Sequence, residues 1–280
     1  MAWVRRELNQ IGIPPLKRFG QHFLIDRGVR ERLVNAAQLS NADTVLEVGP
    51  GLGFLTSELA SKAGVVIAIE KDRTLADYLK NKFLQYPNVQ IDQGDALSTP
   101  IPSRVKIVSS PPYNISSKLT LHIIASEFSH ATLLLQEEFV KRLIATSGSK
   151  EYGRLTVMLQ VAAEPQYIER VSRSAFYPRP RVDSALVTLT PRAVPLRIED
   201  RANLTELVRT LFTQRRRRLR GVLMRYLESK RCSRSKDILS QVKLTEKRVY
   251  ELSPQEFVDL SNLIAGSMQS SDRESESIGD

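Results

Sequence analysis

Cysteine is almost absent from this 280-residue chain: Cys232 stands alone, which excludes an intramolecular disulfide and a multi-thiolate metal site. The three histidines, His22, His122 and His130, show no ligand spacing, so no metal centre is expected. Long apolar runs are missing too. Stretches such as Val65 to Ile69 and Thr132 to Leu135 fall far short of the roughly 18 residues of a membrane span, and Met1 to Gly12 lack the apolar segment of a signal peptide. These absences predict a soluble, cytoplasmic protein with no membrane partner; a monomer is expected, although none of them bears on oligomeric state. Acidic residues are scarce in one region only. Residues 170–250 hold 21 Lys and Arg against 7 Asp and Glu, a net of +14, while the rest of the chain nets −4. An excess concentrated in one block points to a polyanion such as nucleic acid, with a solvated basic surface as the alternative. Few aromatics accompany the block, so it reads as a surface that follows phosphates rather than one that stacks bases.

What is present is a hydrophobic content of 41%, enough for a large domain and a small one. From Asp43 onward short β-branched runs alternate with helical patterns, which predicts a parallel sheet of βαβ units. Strands are expected at 44–48, 65–69, 89–91, 105–109 and 131–135, with 166–171 and 184–190 completing the sheet. Helices are expected at 54–62, 73–85 and 137–145. The fold class is α/β, a Rossmann-like doubly wound sheet whose ligands gather beyond the carboxyl ends of the strands, with a smaller all-helical C-terminal domain. Prolines at Pro191 and Pro195 interrupt the pattern, and only helical periodicity follows. One stripe is Leu204, Leu207, Val208 and Leu211; another is Leu219, Val222, Leu223, Tyr226 and Leu227. The predicted division is therefore 1–195, a helical nucleic-acid-binding domain at 196–266, and a disordered polar tail at 267–280. Ser253-Pro254-Gln255-Glu256 reads as a helix start with a capping box.

Glu47-Val48-Gly49-Pro50-Gly51-Leu52-Gly53 follows a strand and opens a helix. Glycines there let a ligand approach the backbone, and the helix N-terminus offers unpaired N–H groups. The G-x-G-x-G spacing departs from the G-x-G-x-x-G dinucleotide fingerprint, and a purely structural turn is the alternative. Glu70 ends the next strand, where a carboxylate can accept both hydroxyls of a ribose. Asp95, in Gly94-Asp95-Ala96 after the third strand, could accept from an adenine amino group. Ser110-Pro111-Pro112-Tyr113 after the fourth matches the [Asn/Asp/Ser]-Pro-Pro-[aromatic] signature of methyltransferases acting on exocyclic amino groups of nucleobases. The lone pair of such an amine is delocalised into the ring. Two acceptors on its N–H bonds, the Ser110 hydroxyl and the Pro111 carbonyl, would localise that pair. Tyr113 would stack on the extruded base and align it with the methyl donor.

The motifs Phe19-Gly20-Gln21-His22-Phe23-Leu24, Glu47 to Gly53, Gly94-Asp95-Ala96, Pro112-Tyr113-Asn114-Ile115-Ser116, Phe176 to Ser184 and Gln214-Arg215-Arg216 stand in the order of one family. Over residues 15–265 the sequence closely resembles the small-subunit ribosomal RNA adenine dimethyltransferases. The Ile11-Gly12-Ile13-Pro14-Pro15 opening resembles archaeal members. The resemblance implies S-adenosylmethionine as cofactor, small-subunit rRNA or the pre-ribosomal small subunit as partner, and dimethylation of two adjacent adenines in a hairpin. Gln21 and His22 would lie by the methionine end of the cofactor, with Gly49 and Gly51 along its carboxypropyl chain. Glu70 would hold the ribose, Lys71 would lie over the adenine, and Asp95 with Ala96 would read the adenine edge. Ser110 would touch both cofactor and base, Pro111 and Tyr113 would handle the base, and Phe176 would close over its other face. Arg215 to Arg218 are candidate phosphate contacts, with helix packing as their alternative role. Two rival readings share these motifs: a large-subunit methyltransferase of macrolide resistance, and an rRNA-binding assembly factor with weak catalysis. One departure is visible. The family usually carries Asn-Leu-Pro-Tyr where this chain has Ser110 to Tyr113, so a hydroxyl replaces the amide acceptor, which bears on the rate and on the second methylation.

Overall fold

Val45, Leu46 and Val48 are all buried, the near-continuous apolar run expected of a strand covered on both faces. The computed structural model describes residues 2–12, 21–230, 232 and 234–276. Phe19 and Gly20 of the first motif, the Ile13-Pro14-Pro15 segment and the last four residues lie outside the described residues. The chain divides into two units, Met1–Lys141 with Ala163–Pro191, and Arg142–Ala162 with Arg192–Asp280.

In the first unit α1 (Ala2–Ile11), β1 (Phe23–Leu24) and α2 (Arg27–Ala36) precede the alternating region. That region comprises β2 (Thr44–Val48), α3 (Phe54–Ala60), β3 (Val65–Glu70), α4 (Arg73–Lys82), β4 (Val89–Gln93), β5 (Lys106–Ser109), α5 (Ser116–Ile124), β6 (His130–Gln136) and α6 (Glu137–Leu143). After an excursion into the second unit, α7 (Arg154–Ala162), the chain returns as β7 (Ala163–Val171), β8 (Phe176–Tyr177) and β9 (Ser184–Pro191). The seven-stranded sheet has the order β4-β3-β2-β5-β6-β9-β7. Strands β2 to β6 are parallel, and β9 runs antiparallel to both β6 and β7. From β2 the chain winds outward through β3 and β4, then resumes on the other side at β5. The neighbours β2 and β5 therefore flank the topological switch point, where a doubly wound sheet opens a crevice at its carboxyl edge. The expected α/β class holds. Asp26 and Asp72 start α2 and α4 by accepting the Val29 and Leu75 N–H groups at 3.0 and 3.1 Å.

The second unit is helical: α7, α8 (Arg201–Leu211), α9 (Leu219–Ser229), α10 (Ser235–Gln241) and α11 (Pro254–Glu276). Both apolar stripes read from the sequence are buried in its core, beside Tyr152, Val157, Val161 and Phe257. The capping box forms: Glu256 N–H donates to Ser253 Oγ at 3.2 Å, and Ser253 N–H to Glu256 Oε2 at 2.8 Å. Two boundaries differ from expectation. A single break near residue 195 misses that 142–162 join the helical core, because Tyr152, Val157 and Val161 pack there although they lie between two sheet strands in sequence. A disordered tail from 267 is replaced by α11 continuing to Glu276, since past Gly266 no glycine or proline interrupts the backbone ladder within that span.

Candidate active site at the sheet switch point

The turn after β2 places Gly49, Gly51 and Gly53 at φ of 71°, 59° and 76°, in the left-handed region that side-chain-bearing residues avoid. Space excludes larger residues as well: a Cβ on Gly51 would come within 2.8 Å of the Phe23 ring, and one on Gly49 within 3.2 Å of Pro112. The second contact ties the glycine turn to the Ser110–Tyr113 turn. Ser109, fully buried at the end of β5, strengthens the tie by donating its hydroxyl to the Val48 carbonyl at 2.6 Å. Both turns consequently line one cavity with Gln21, His22, Glu47, Glu70, Lys71, Asp95 and Ala96.

Glu70 is buried, and its Oε2 and Oε1 accept the Gly51 and Asp72 N–H groups at 3.2 and 2.9 Å. Burial nevertheless raises its carboxyl above the usual carboxylate range. Each oxygen keeps lone-pair capacity, so the group can still accept hydroxyls. At the rim, Lys71 Nζ lies 2.7 Å from Asp95 Oδ2, and Leu97 N–H donates to Oδ1 at 3.0 Å. The lysine holds the Asp95 carboxyl below its ordinary value. A ligand amine reaching Asp95 must share it with Lys71. Gln21 Oε1 is buried and finds no hydrogen-bond partner among the described residues.

Tyr113 begins a 3-10 turn, and its hydroxyl sits 2.6 Å from Ser184 Oγ of β9. Burial pushes the phenol up to about 12. The His22 ring, fixed by an Nδ1–H bond of 2.6 Å to the Pro178 carbonyl, lies 5.6 Å from the Tyr113 ring at a 30° tilt. Ser110 lines the cavity and is half-buried. Phe176 departs from its expected place. It is only 1% exposed, packs in the core with Leu24 and Leu186, and meets Tyr113 edge-on at 6.4 Å with rings at 70°, outside the cavity lining. Its ring supports Tyr113 and leaves no open face for a base. Sequence reasoning missed Ser109, Ser184 and Glu47. Glu47 did carry a signal, an acid inside an apolar strand. It is 2% exposed, accepts the Thr56 hydroxyl at 2.7 Å, and is pushed up to about 8 by burial, with Glu70 adding to the rise.

Residues 16–265 match the family described as ribosomal RNA adenine dimethylase. The chain belongs to that family. This dimethylase is 42% identical to a probable ribosomal RNA small subunit methyltransferase A of Pyrococcus abyssi over 261 residues, 92% of this chain and 94% of the relative. A Methanosarcina mazei protein of the same name is 39% identical, over 88% and 92% of the two chains. Among solved structures, a dimethyladenosine transferase from Plasmodium falciparum superposes with a TM-score of 0.78 at 28% identity, covering 88% of this chain and 98% of that one. The 23S rRNA methyltransferase ErmE gives 0.65 at 30% identity, covering 87% and 99%. The dimethylase is thus an S-adenosylmethionine-dependent methyltransferase of rRNA adenine. Its cavity fits that cofactor: the glycine turn leaves no room for side chains, Glu70 keeps acceptor capacity, and Gln21 Oε1 is an orphaned acceptor.

Proposed function

We propose that this dimethylase methylates the exocyclic amines of two adjacent adenines in a small-subunit rRNA hairpin during ribosome assembly, acting in the cytoplasm as a monomer. The observation that carries the reading is the Ser109 bridge to Val48, which brings the Ser110–Tyr113 turn against the glycine turn so that both line one cavity. S-adenosylmethionine, when bound, supplies an electrophilic methyl group. Gly49 and Gly51 would border its amino-acid chain, with Gln21 and His22 at its methionine end. Glu70 would hold the ribose, and Asp95, Lys71 and Ala96 the adenine. Ser110 and the Pro111 carbonyl accept the N–H bonds of the target amine, which localises its lone pair towards the methyl group. Tyr113 stacks on the extruded adenine, and Phe176 stiffens Tyr113 from the side. No strong general base is needed, because the methylated nitrogen is acidic enough to release its proton.

Small-subunit rRNA is favoured over large-subunit rRNA by the names of the curated relatives, which match over about nine-tenths of the chain. Target RNA must present loop or single-stranded adenines, since a base has to leave its stack. Its flanking phosphates meet the basic helical unit. Arg216 and Arg217 are exposed there, while Arg215 spends its guanidinium on the Lys150 and Ser149 carbonyls at 3.0 and 3.1 Å. Among the described residues no helix is long and apolar enough to cross a membrane. Radiolabelled methyl transfer to isolated small and large subunits, followed by nucleoside analysis, tests the proposal. Dimethyladenosine in small-subunit RNA is the expected result, and label confined to large-subunit RNA overturns it. Tight binding to the small subunit without label would favour the assembly-factor reading.

A further inference from the structure

Behind the glycine turn, outside the cavity, lies a charged cluster that the reaction does not use. Lys82, at the last turn of α4, donates from Nζ to the Leu52 carbonyl at 2.8 Å. The same ammonium lies 5.0 Å from the centre of the Phe54 ring and 5.4 Å from that of Tyr78. Lys82 does not line the cavity, yet Leu52 and Phe54 both do. Leu52 belongs to the turn between Gly51 and Gly53, and its carbonyl precedes the first residue of α3, so the intrahelical ladder does not hold it. A lysine arriving from 30 residues downstream supplies the donor.

The lysine is itself aimed. Glu7 of α1 places Oε1 3.5 Å from Lys82 Nζ and accepts the Tyr78 hydroxyl. Both charged side chains are about three-quarters buried, which strengthens their attraction relative to a surface pair. Helix α1 is held in place independently of this pair: Val4 and Leu8 are buried in one cluster with Phe23, Leu52 and Leu75. Two members of that cluster flank the critical glycine, since Leu52 follows Gly51 and the Phe23 ring fills the place of its missing Cβ. Helix α1 therefore braces the turn from behind through apolar contact, and Glu7 sets the cation that fixes its carbonyl.

We infer that Lys82, aimed by Glu7, is a positioning residue for the cofactor turn, holding the Leu52 carbonyl so that the Gly49–Gly53 backbone keeps the shape S-adenosylmethionine requires. The inference rests on the reading that this turn holds the cofactor. The test uses the full chain and titrates S-adenosylmethionine calorimetrically into Lys82→Gln, Lys82→Arg, Glu7→Gln and, as reference, Glu70→Gln. Loss of a charge-assisted hydrogen bond should raise the Kd of Lys82→Gln about 10-fold, with Lys82→Arg within about twofold of the parent and Glu7→Gln between them. The cofactor KM should follow the same order, while kcat and the KM for RNA stay constant. A purely structural role would lower the melting temperature of Lys82→Gln and leave its Kd unchanged, which would sink the inference. If Glu70→Gln weakens cofactor binding and the Lys82 variants do not, the site stands and the positioning role falls. If Glu70→Gln has no effect either, the cofactor reading of the turn falls and takes the inference with it.

Discussion

Replacing Glu47 by Gln should change how stability depends on pH rather than stability itself at mildly acidic pH. Glu47 sits in β2 at 2% exposure, bonded to Thr56, with its carboxyl pushed up to about 8. An unfolded chain releases this proton near the ordinary value of 4.5. Between those two values the folded protein binds a proton that the unfolded chain has lost, so stability falls as pH rises through the window and levels off above about 8. At ~1.4 kcal/mol per unit the upper limit of the loss is about 5 kcal/mol. Relaxation and water entry around a buried charge reduce it to about 2 to 3 kcal/mol. Gln preserves the shape and can still accept from Thr56, but it carries no titration. The comparison is made by urea unfolding of cofactor-free parent and Glu47→Gln proteins at pH 5, 7 and 8.5 and constant ionic strength. Their difference cancels groups that titrate alike in both. Glu47→Gln should gain about 2 to 3 kcal/mol on the parent between the lowest and highest pH. Curves parallel within about 0.5 kcal/mol would mean that Glu47 is ionised throughout and that burial does not set its state.

Four other outcomes bear on the site and the basic unit. Glu70→Ala should weaken S-adenosylmethionine binding by about 1.5 to 3 kcal/mol in calorimetry, through loss of a charged acceptor, with RNA affinity unchanged. Arg215→Gln should lower the melting temperature of the helical unit, since its guanidinium bonds the Ser149 and Lys150 carbonyls and lies 5.3 Å from the Tyr250 ring. Arg216→Gln with Arg217→Gln should instead spare the melting temperature and flatten the slope of log RNA affinity against log salt by about 1.4, roughly 0.7 per lost phosphate contact. Ser110→Asn restores the family's usual amide and should keep or raise the rate, above all for the second methyl; a slower enzyme would show the pocket adapted to serine.

The parts of this molecule that were legible in the sequence are those whose signals are local. Parallel strands buried on both faces read as short β-branched runs, and β2, β3, β5 and β6 lie within a residue of where those runs put them. The glycine turn announced itself because positive φ at Gly49, Gly51 and Gly53 restricts the residue type at each position. Contacts made over long separations left no such trace. Nothing periodic marks Lys82 for the Leu52 carbonyl, or Ser109 for that of Val48, 61 positions earlier. Phe176 and Arg215 show a second limit: motif position says which residue matters without saying where its side chain goes. Phe176 turned out to be buried beside Tyr113, and Arg215 to be engaged by backbone carbonyls. The excursion of 142–162 into the helical core shows a third. Its apolar residues look the same whether they serve the sheet or the helices, and only the packing partners separate the two.

The same long-range bonds explain how this chemistry can proceed by positioning the amine rather than by acid or base catalysis at the target. A reaction that depends on holding an amine in line needs rigid acceptors more than reactive ones. Tyr113 is anchored at its hydroxyl by Ser184 from β9 and flanked by Phe176 and by His22, which the Pro178 carbonyl holds in turn. Ser109 ties the preceding backbone to β2, so the Pro111 carbonyl is carried on a turn pinned at both ends. Of the two acceptors proposed for the amine, one is backbone and rigid, and the other is a serine hydroxyl able to rotate. The first methylation can use both N–H bonds of the adenine amine. The second has a single N–H left to orient, so alignment of the monomethylated amine rests on fewer bonds, and a rotating hydroxyl at Ser110 constrains it less than an amide would. The rigid Pro111 carbonyl sustains transfer in a chain lacking the usual amide, and completion of the dimethyl product is the step that Ser110→Asn should help most.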